Sequence, residues 1–286
     1  MSLPAVIPCS ANEELRTRIE LYAEELRVQA HQLGSHGLSE QEFYNSGLFR
    51  GAIERIRGQF SATTRDKRDL AARVLNYLED NGLILGWDEA DSRVRYDYDV
   101  KLKSNRLCAV AVKGCLDGNN ATILGKPENA DEMVLWSMCT NQGADPRRNV
   151  WSGIHTRISA EYVEHGLELD AVVVWDMMCG TIGRSCPKLI AEPARAIALG
   201  SCSLPPPCVY VLPRQDQRQT GLLAAQKADS VEFVKALTDA FGGRESEINF
   251  VDFEVERDVV GASRRTIVKR NGVICYQSEM TPIDRA

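Results

Sequence analysis

The chain has no run of about twenty apolar residues, so no membrane-spanning helix is expected. Its start, MSLPAVIPCSANEELR, has no basic opening and no long apolar stretch, so no secretory leader is expected. A Walker-type phosphate loop and a dinucleotide fingerprint of glycines are both absent, which removes the commonest nucleotide-binding readings. Basic residues are in deficit, with Lys+Arg 34 against Asp+Glu 40 and a formal charge of −6. That argues against non-specific polyanion binding, but not against DNA binding through local basic patches. The 9 cysteines are an odd number in unlike contexts. They read as reduced thiols of a cytoplasmic protein. Cys179, Cys186, Cys202 and Cys208 fall close together, but not at the short spacing of zinc knuckles. Nothing in the sequence brings Cys115 to His155 as a thiol hydrolase would need, and His155 reads as the flank of a packed helix.

What is present is an ordinary globular composition, able to bury a core without disulfides or structural metal. Residues 11–34 have helical spacing at Leu15, Ile19, Tyr22 and Leu26, with Ser10 and Glu13 as a capping box. Ser39 and Glu42 suggest the same for a helix over 40–58, and a third is predicted over 65–82, stopped by Asn81-Gly82. Alternation then predicts strands over 93–102 and 107–114, joined as an antiparallel hairpin. A strand over 131–139, a helix over 149–166 closed by Gly166, and an apolar strand over 169–178 follow. Residues 179–208 read as a long, partly ordered loop. The remainder predicts a strand over 208–213, a helix over 230–241 and strands over 248–257 and 264–278, the last broken by the hairpin turn Asn271-Gly272. The expectation is one α/β (α+β) domain over 1–286 with a mixed central sheet. Residues 1–90 would be a helical region, 91–180 the core and 181–286 an α/β extension.

The stretch RYDYDVKLKSNRLCAVAVKGCLDGNN, residues 95–120, carries the chemistry. Residues two apart on a strand share a face, so Asp97 and Asp99 point together, as do Ala109, Ala111 and Lys113 on the next strand. Carboxylates beside an ammonium can hold a hard cation against a phosphate. The plain structural alternative makes the aspartates the solvent face of an edge strand, balanced by Arg95 and Lys101, with Lys113 a snorkelling strand-end lysine.

An acid on one strand, a short hairpin, then an apolar strand ending in x-Lys resembles the PD-(D/E)XK nuclease superfamily, most closely its type II restriction endonucleases. The helix and apolar strand that follow are similar to that superfamily's αββαβ core, and the resemblance spans roughly 93–178. It implies Mg²⁺-dependent hydrolysis of duplex DNA at a specific sequence, leaving 5′-phosphate and 3′-hydroxyl ends. It also implies a partner DNA methyltransferase, and a homodimer if the target is palindromic. Asp99, or else Asp97, would bind the metal, and Lys113 would be the motif lysine. The middle acid should stand at Ala111 and does not. Three explanations stand side by side: a substitution that disables cleavage, an acid relocated to the following helix at Glu161, or a non-cleaving DNA-binding protein or inactive subunit. Asn119 and Asn120, Arg147, Arg148 and Asn149, and Arg184 and Lys188 are the candidate DNA contacts, with RDKRD at 65–69 a further phosphate contact.

Overall fold

In the computed structural model the described residues are 13–28, 39, 64–114, 116, 125–138, 146–181, 184–214, 220–259 and 261–283. The chain divides into two compact units, Met1–Ser61 and Ala62–Ala286. The first contains helix α1 (Glu13–Val28), within the helix expected over 11–34. The helix expected over 40–58 lies outside the described residues.

The second unit opens with α2 (Thr64–Asp80), as its spacing predicts. Gly82 ends it at φ +64, where Leu83 N–H reaches the Leu78 carbonyl and Gly82 N–H the Glu79 carbonyl. A side chain at that φ would be strained, which is why glycine closes the helix. Strands β1 (Gly86–Glu89), β2 (Tyr98–Lys101), β3 (Leu107–Lys113) and β4 (Glu132–Ser137) follow. A helical segment then runs through α3 (Pro146–Gly153), a π-turn (Ile154–Ile158) and α4 (Ser159–His165) to β5 (Ala171–Val174). Gly166 stops it in the left-handed region, as expected. The span 179–208 is more ordered than its Gly, Pro and Cys content suggests. It holds α5 (Pro187–Ala191) and a two-stranded ribbon of β6 (Ile197–Leu199) and β7 (Cys202–Leu204). The remaining elements are β8 (Cys208–Val211), β9 (Gly221–Leu223), α6 (Glu232–Ala240), β10 (Asn249–Arg257), β11 (Ala262–Arg270), β12 (Val273–Gln277) and β13 (Thr281–Pro282).

The strands form one mixed sheet in the order β1-β2-β3-β4-β5-β8-β10-β11-β12, with β9 on β10 and β13 on β11. The β3–β4, β4–β5 and β8–β10 pairs are parallel and the others antiparallel. Every residue of β4 and β5 is buried, as a parallel centre covered on both faces requires. One apolar layer packs α2 and α6 on the face bearing Val110, Val112, Trp136 and Val173. There Trp136 and Trp175 stack at 5.8 Å, and both indole N–H groups find carbonyls, of Trp175 and Pro205. The other layer packs Val150, Ile154, Ile158 and Tyr162 on the face bearing Ala109, Ala111, Leu135 and Val172. The architecture is thus mixed α/β in three layers. No described helix is long and apolar enough to cross a membrane.

Two departures matter for the site. The strand expected over 93–102 is confined to Tyr98–Lys101, because residues 90–97 loop out, with Asp91 gripping Arg93 and accepting from its N–H. And β1, absent from the sequence reading, covers the outer edge of β2.

Candidate functional site

The β1–β2 ribbon sets Trp87 opposite Val100, Asp88 opposite Asp99 and Glu89 opposite Tyr98. Trp87 and Tyr98 meet edge to face at 5.5 Å and turn into the first apolar layer. Asp88 and Asp99 therefore share the opposite face, and Lys101, two residues past Asp99, shares it too. Like charges directly opposed across a strand pair are unfavourable without a counter-ion. Asp99 Oδ1 is moreover buried with no hydrogen-bond partner. A buried orphan oxygen of this kind calls for an ion or a water. Two carboxylates suit Mg²⁺, which takes one or two from a protein and completes its octahedron with waters and phosphate oxygens. Among the described residues no group of three or more His, Cys, Asp and Glu is placed to hold a metal. The sequence reading missed Asp88 because GWDE is too short to alternate visibly. Its own signal was Asp99-Val100-Lys101, an acid-x-lysine already in view, whose lysine was read as a solvent charge.

The expected neighbour relation of Asp99 and Lys113 does not hold. Asp99 pairs with Ala109, so Lys113 lies four residues further along β3, on the order of 13 Å away. Asp97 is the carboxylate near Lys113, but it already has a task. Its main chain leaves the ladder after donating to the Val110 carbonyl, and its Oδ2 accepts from Val112 N–H at 2.7 Å in place of a backbone carbonyl. Asp97 and Lys113 line a pocket of about 360 Å³ together with Arg68, Glu89, Arg95 and Tyr96. Arg68, from the RDKRD stretch, lines this pocket with Arg95 and Lys113, alongside the carboxylates of Glu89, Asp91 and Asp97.

Other candidates are placed elsewhere. Ala111 is 1% exposed and packed in the second apolar layer. Glu161 is engaged on its own helix: its carboxylate meets His165 at 3.1 Å, and α4 packs over β10 and β11, where Tyr162 meets Phe253 and Ser159 meets Arg264. Arg184 is occupied in the fold, closing a 2.5 Å pair with Asp176, itself 1% exposed. Lys188 is likewise occupied, donating to the Pro206 and Pro207 carbonyls at 3.2 and 2.7 Å. Arg147, Arg148 and Asn149 sit in the first turn of α3, and their side chains lie outside the described ones, as do Asn119 and Asn120 altogether. In the cysteine cluster, burial first and then Asp176 push the Cys179 thiol up to about 12.

His155 is structural, as expected. It stacks on Trp151, and its Nδ1 is 3.0 Å from Thr266 Oγ1. Its carbonyl, freed by the π-turn, accepts from Arg264 Nε and Nη2 at 3.1 and 2.8 Å. Burial first, then the Arg264 charge, lower its pKa from 6.5. The unfolded chain therefore binds more protons between that lowered value and 6.5, so stability is complete above 6.5 and falls as the pH drops below it. We expect His155→Gln to flatten the decline in Tm between pH 7.5 and 5.5; equal slopes for the two proteins would refute the assignment.

No protein-family model matches the chain, and no match was found among curated proteins or solved structures.

Proposed function

We propose that the chain hydrolyses phosphodiesters in duplex DNA, with Mg²⁺ held between Asp88 and Asp99. One observation carries the reading: two aspartates stand directly opposed on paired strands, one has a buried unpaired oxygen, and a lysine follows two residues on along the same face. The acid-x-lysine unit of the superfamily is then Asp99-Val100-Lys101, with Asp88 as the preceding acid, and the alanine at 111 is no longer a gap. Bound Mg²⁺ would neutralise phosphate charge and acidify a water. Lys101 offers its ammonium to a phosphate oxygen beside the carboxylates. Arg68, Arg95 and Lys113 supply backbone contacts from the adjoining pocket, and the register of a palindromic target would be met by a homodimer.

Supercoiled plasmid incubated with the chain and Mg²⁺ or Mn²⁺ tests this. Metal-dependent linear fragments are expected, lost in Asp88→Asn and in Asp99→Asn. A gel shift with no cleavage at any metal concentration would instead favour a non-cleaving DNA-binding protein, the reading that Ala111 supports if position 111 is the true metal position. Neither shift nor cleavage would refute both.

The two positions can also be separated through stability. Ala111→Glu buries an unpaired carboxylate in an apolar layer beside Asp97, so a loss of about 2–4 kcal/mol in urea unfolding is expected, without a gain in cleavage. An unchanged midpoint together with new cleavage would return the metal to position 111.

A further inference from the structure

Resting on that reading of the site, we infer that the β2–β3 turn is a second DNA-backbone contact: Lys103 takes a phosphate on the side of the metal away from the pocket, and Glu232 holds the turn in place for it. The turn is closed by Leu102 N–H on the Arg106 carbonyl and Asn105 N–H on the Leu102 carbonyl, both at 2.9 Å, with Asn105 at φ 63°. Three carboxylates distant in sequence hold it as well. Ser104 donates its N–H to Glu232 Oε1 at 3.0 Å and its hydroxyl to Glu232 Oε2 at 2.5 Å. Arg106 reaches Glu132 at 3.3 Å, and Leu107 N–H reaches Asp131 Oδ2 at 2.9 Å. Ser104 is exposed, so water would satisfy its N–H and hydroxyl equally well, and burial does not demand the Glu232 bonds. What these tethers do is fix the direction in which the turn presents its other side chains. A contact ordered in advance loses less entropy on binding.

The side chains so presented are cationic. Lys101 and Lys103 are exposed, and unlike Arg106 neither makes an ion pair among the described residues. Their place on the hairpin gives them a partner. Asp99 pairs with Ala109, with Lys113 four residues along β3 in one direction and Leu107, where the turn joins β3, two residues in the other. Cations therefore flank the Asp88–Asp99 pair at both ends of the hairpin, over about 20 Å from Lys113 to Leu107. That length matches the rise of about six nucleotides of duplex. A backbone laid along the hairpin meets Arg68, Arg95 and Lys113 on one side of the scissile phosphate and Lys103 on the other. Both flanks are then held while the metal acts between them. Such contacts set position on the duplex and read no sequence.

The test is the salt dependence of binding of the full chain to a fluorescently labelled mixed-sequence duplex, read by anisotropy in chelator and again with Ca²⁺, which takes the same oxygen ligands. Each phosphate neutralised adds about 0.9 to the slope of log K against log salt, or about 8-fold in affinity at 0.1 M salt. Lys103→Ala is expected to lower the slope by about 0.9 and to weaken binding about 8-fold at 0.1 M salt. Ser104→Ala removes a tether and no charge, so binding should weaken about 2–10-fold with the slope unchanged. Arg244→Ala, which removes an exposed cation paired with Glu192, should keep the wild-type slope. Damage to the fold would lower the Tm and leave the slope alone. If wild-type binds DNA and Lys103→Ala keeps both its slope and its affinity, the turn is a solvated loop and the contact is overturned, while the metal site stands. If Lys103→Ala behaves as expected and Ser104→Ala binds as wild-type does, the contact stands and the holding role of Glu232 is overturned. If wild-type binds no DNA in either condition, the reading of the site fails and this contact with it.

Discussion

Asp99→Asn is expected to make the metal-free protein more stable by about 1–2 kcal/mol, and to abolish its stabilisation by Mg²⁺. Two unfavourable features meet at Asp99: a like charge directly across the ribbon at Asp88 and a buried oxygen without a donor. The first costs a few tenths to about 1 kcal/mol, and an unsatisfied buried polar atom about 1–3 kcal/mol. An asparagine amide removes the repulsion and can donate across the ribbon to Asp88. In a unit spanning Ala62–Ala286 the gain corresponds to a rise in Tm of roughly 2–8 °C. With Mg²⁺ at about a hundred times its dissociation constant, wild-type gains about 2.7 kcal/mol and the order reverses. Thermal melts in chelator and in Mg²⁺ read both halves. A variant that is less stable in chelator, beside a wild-type that ignores Mg²⁺, would make Asp99 an ordinary strand residue. Residues that destabilise the empty protein and are stabilised by a ligand are what a site looks like in a stability measurement.

How much of this was legible in the sequence depends on the range of each contact. The helix 64–80 and its glycine stop, the hairpin that pairs β2 with β3, and the Asn271-Gly272 turn, with φ of 49° and 75°, are local and were read correctly. The wholly apolar β5 is central and parallel to one neighbour, β4, as its composition predicts, and antiparallel to the other, β8. Strand β1 was not legible, because four residues with mixed burial carry no period. With β1 went Asp88, and so the acid that pairs with Asp99. The relation of Asp99 to Lys113 failed for a different reason. Both residues do share a face, but alternation fixes the face and not the register, and register decides whether two side chains meet. Arg184 and Lys188 are expected as DNA contacts because they follow the apolar strand, where a sheet's ligand-facing edge can lie. The buried Asp176 and the two proline carbonyls that occupy them lie 8 and about twenty residues away in sequence, with no pattern to announce them.

Glu132 is the extreme case of such a long-range contact, and Glu132→Ala is expected to cost about 3–5 kcal/mol. In the sequence it is only the polar first residue of an apolar strand. In the fold it is 1% exposed and serves as the cap of a helix 100 residues away. Helix α6 begins after Val231, whose side chain caps nothing. Glu132 supplies the missing acceptors: Oε1 takes Glu232 N–H at 2.7 Å and Oε2 takes Phe233 N–H at 3.1 Å. Arg106 lies 3.3 Å from the same carboxylate. Burial raises the Glu132 pKa, while the two N–H bonds and Arg106 act the other way. Alanine would leave two buried helix-terminal donors without acceptors, strand the Arg106 charge, and open a void beneath Phe233. Because Phe233, Val234 and Leu237 of α6 build the first apolar layer with α2, the loss should spread to the whole unit and appear as one cooperative transition at lower denaturant. Glu132→Gln keeps one acceptor and should fall between the two. A penalty below about 1 kcal/mol for alanine in urea unfolding would mean that water caps α6 as well as the carboxylate does, and that the strand and the helix are not coupled through this residue.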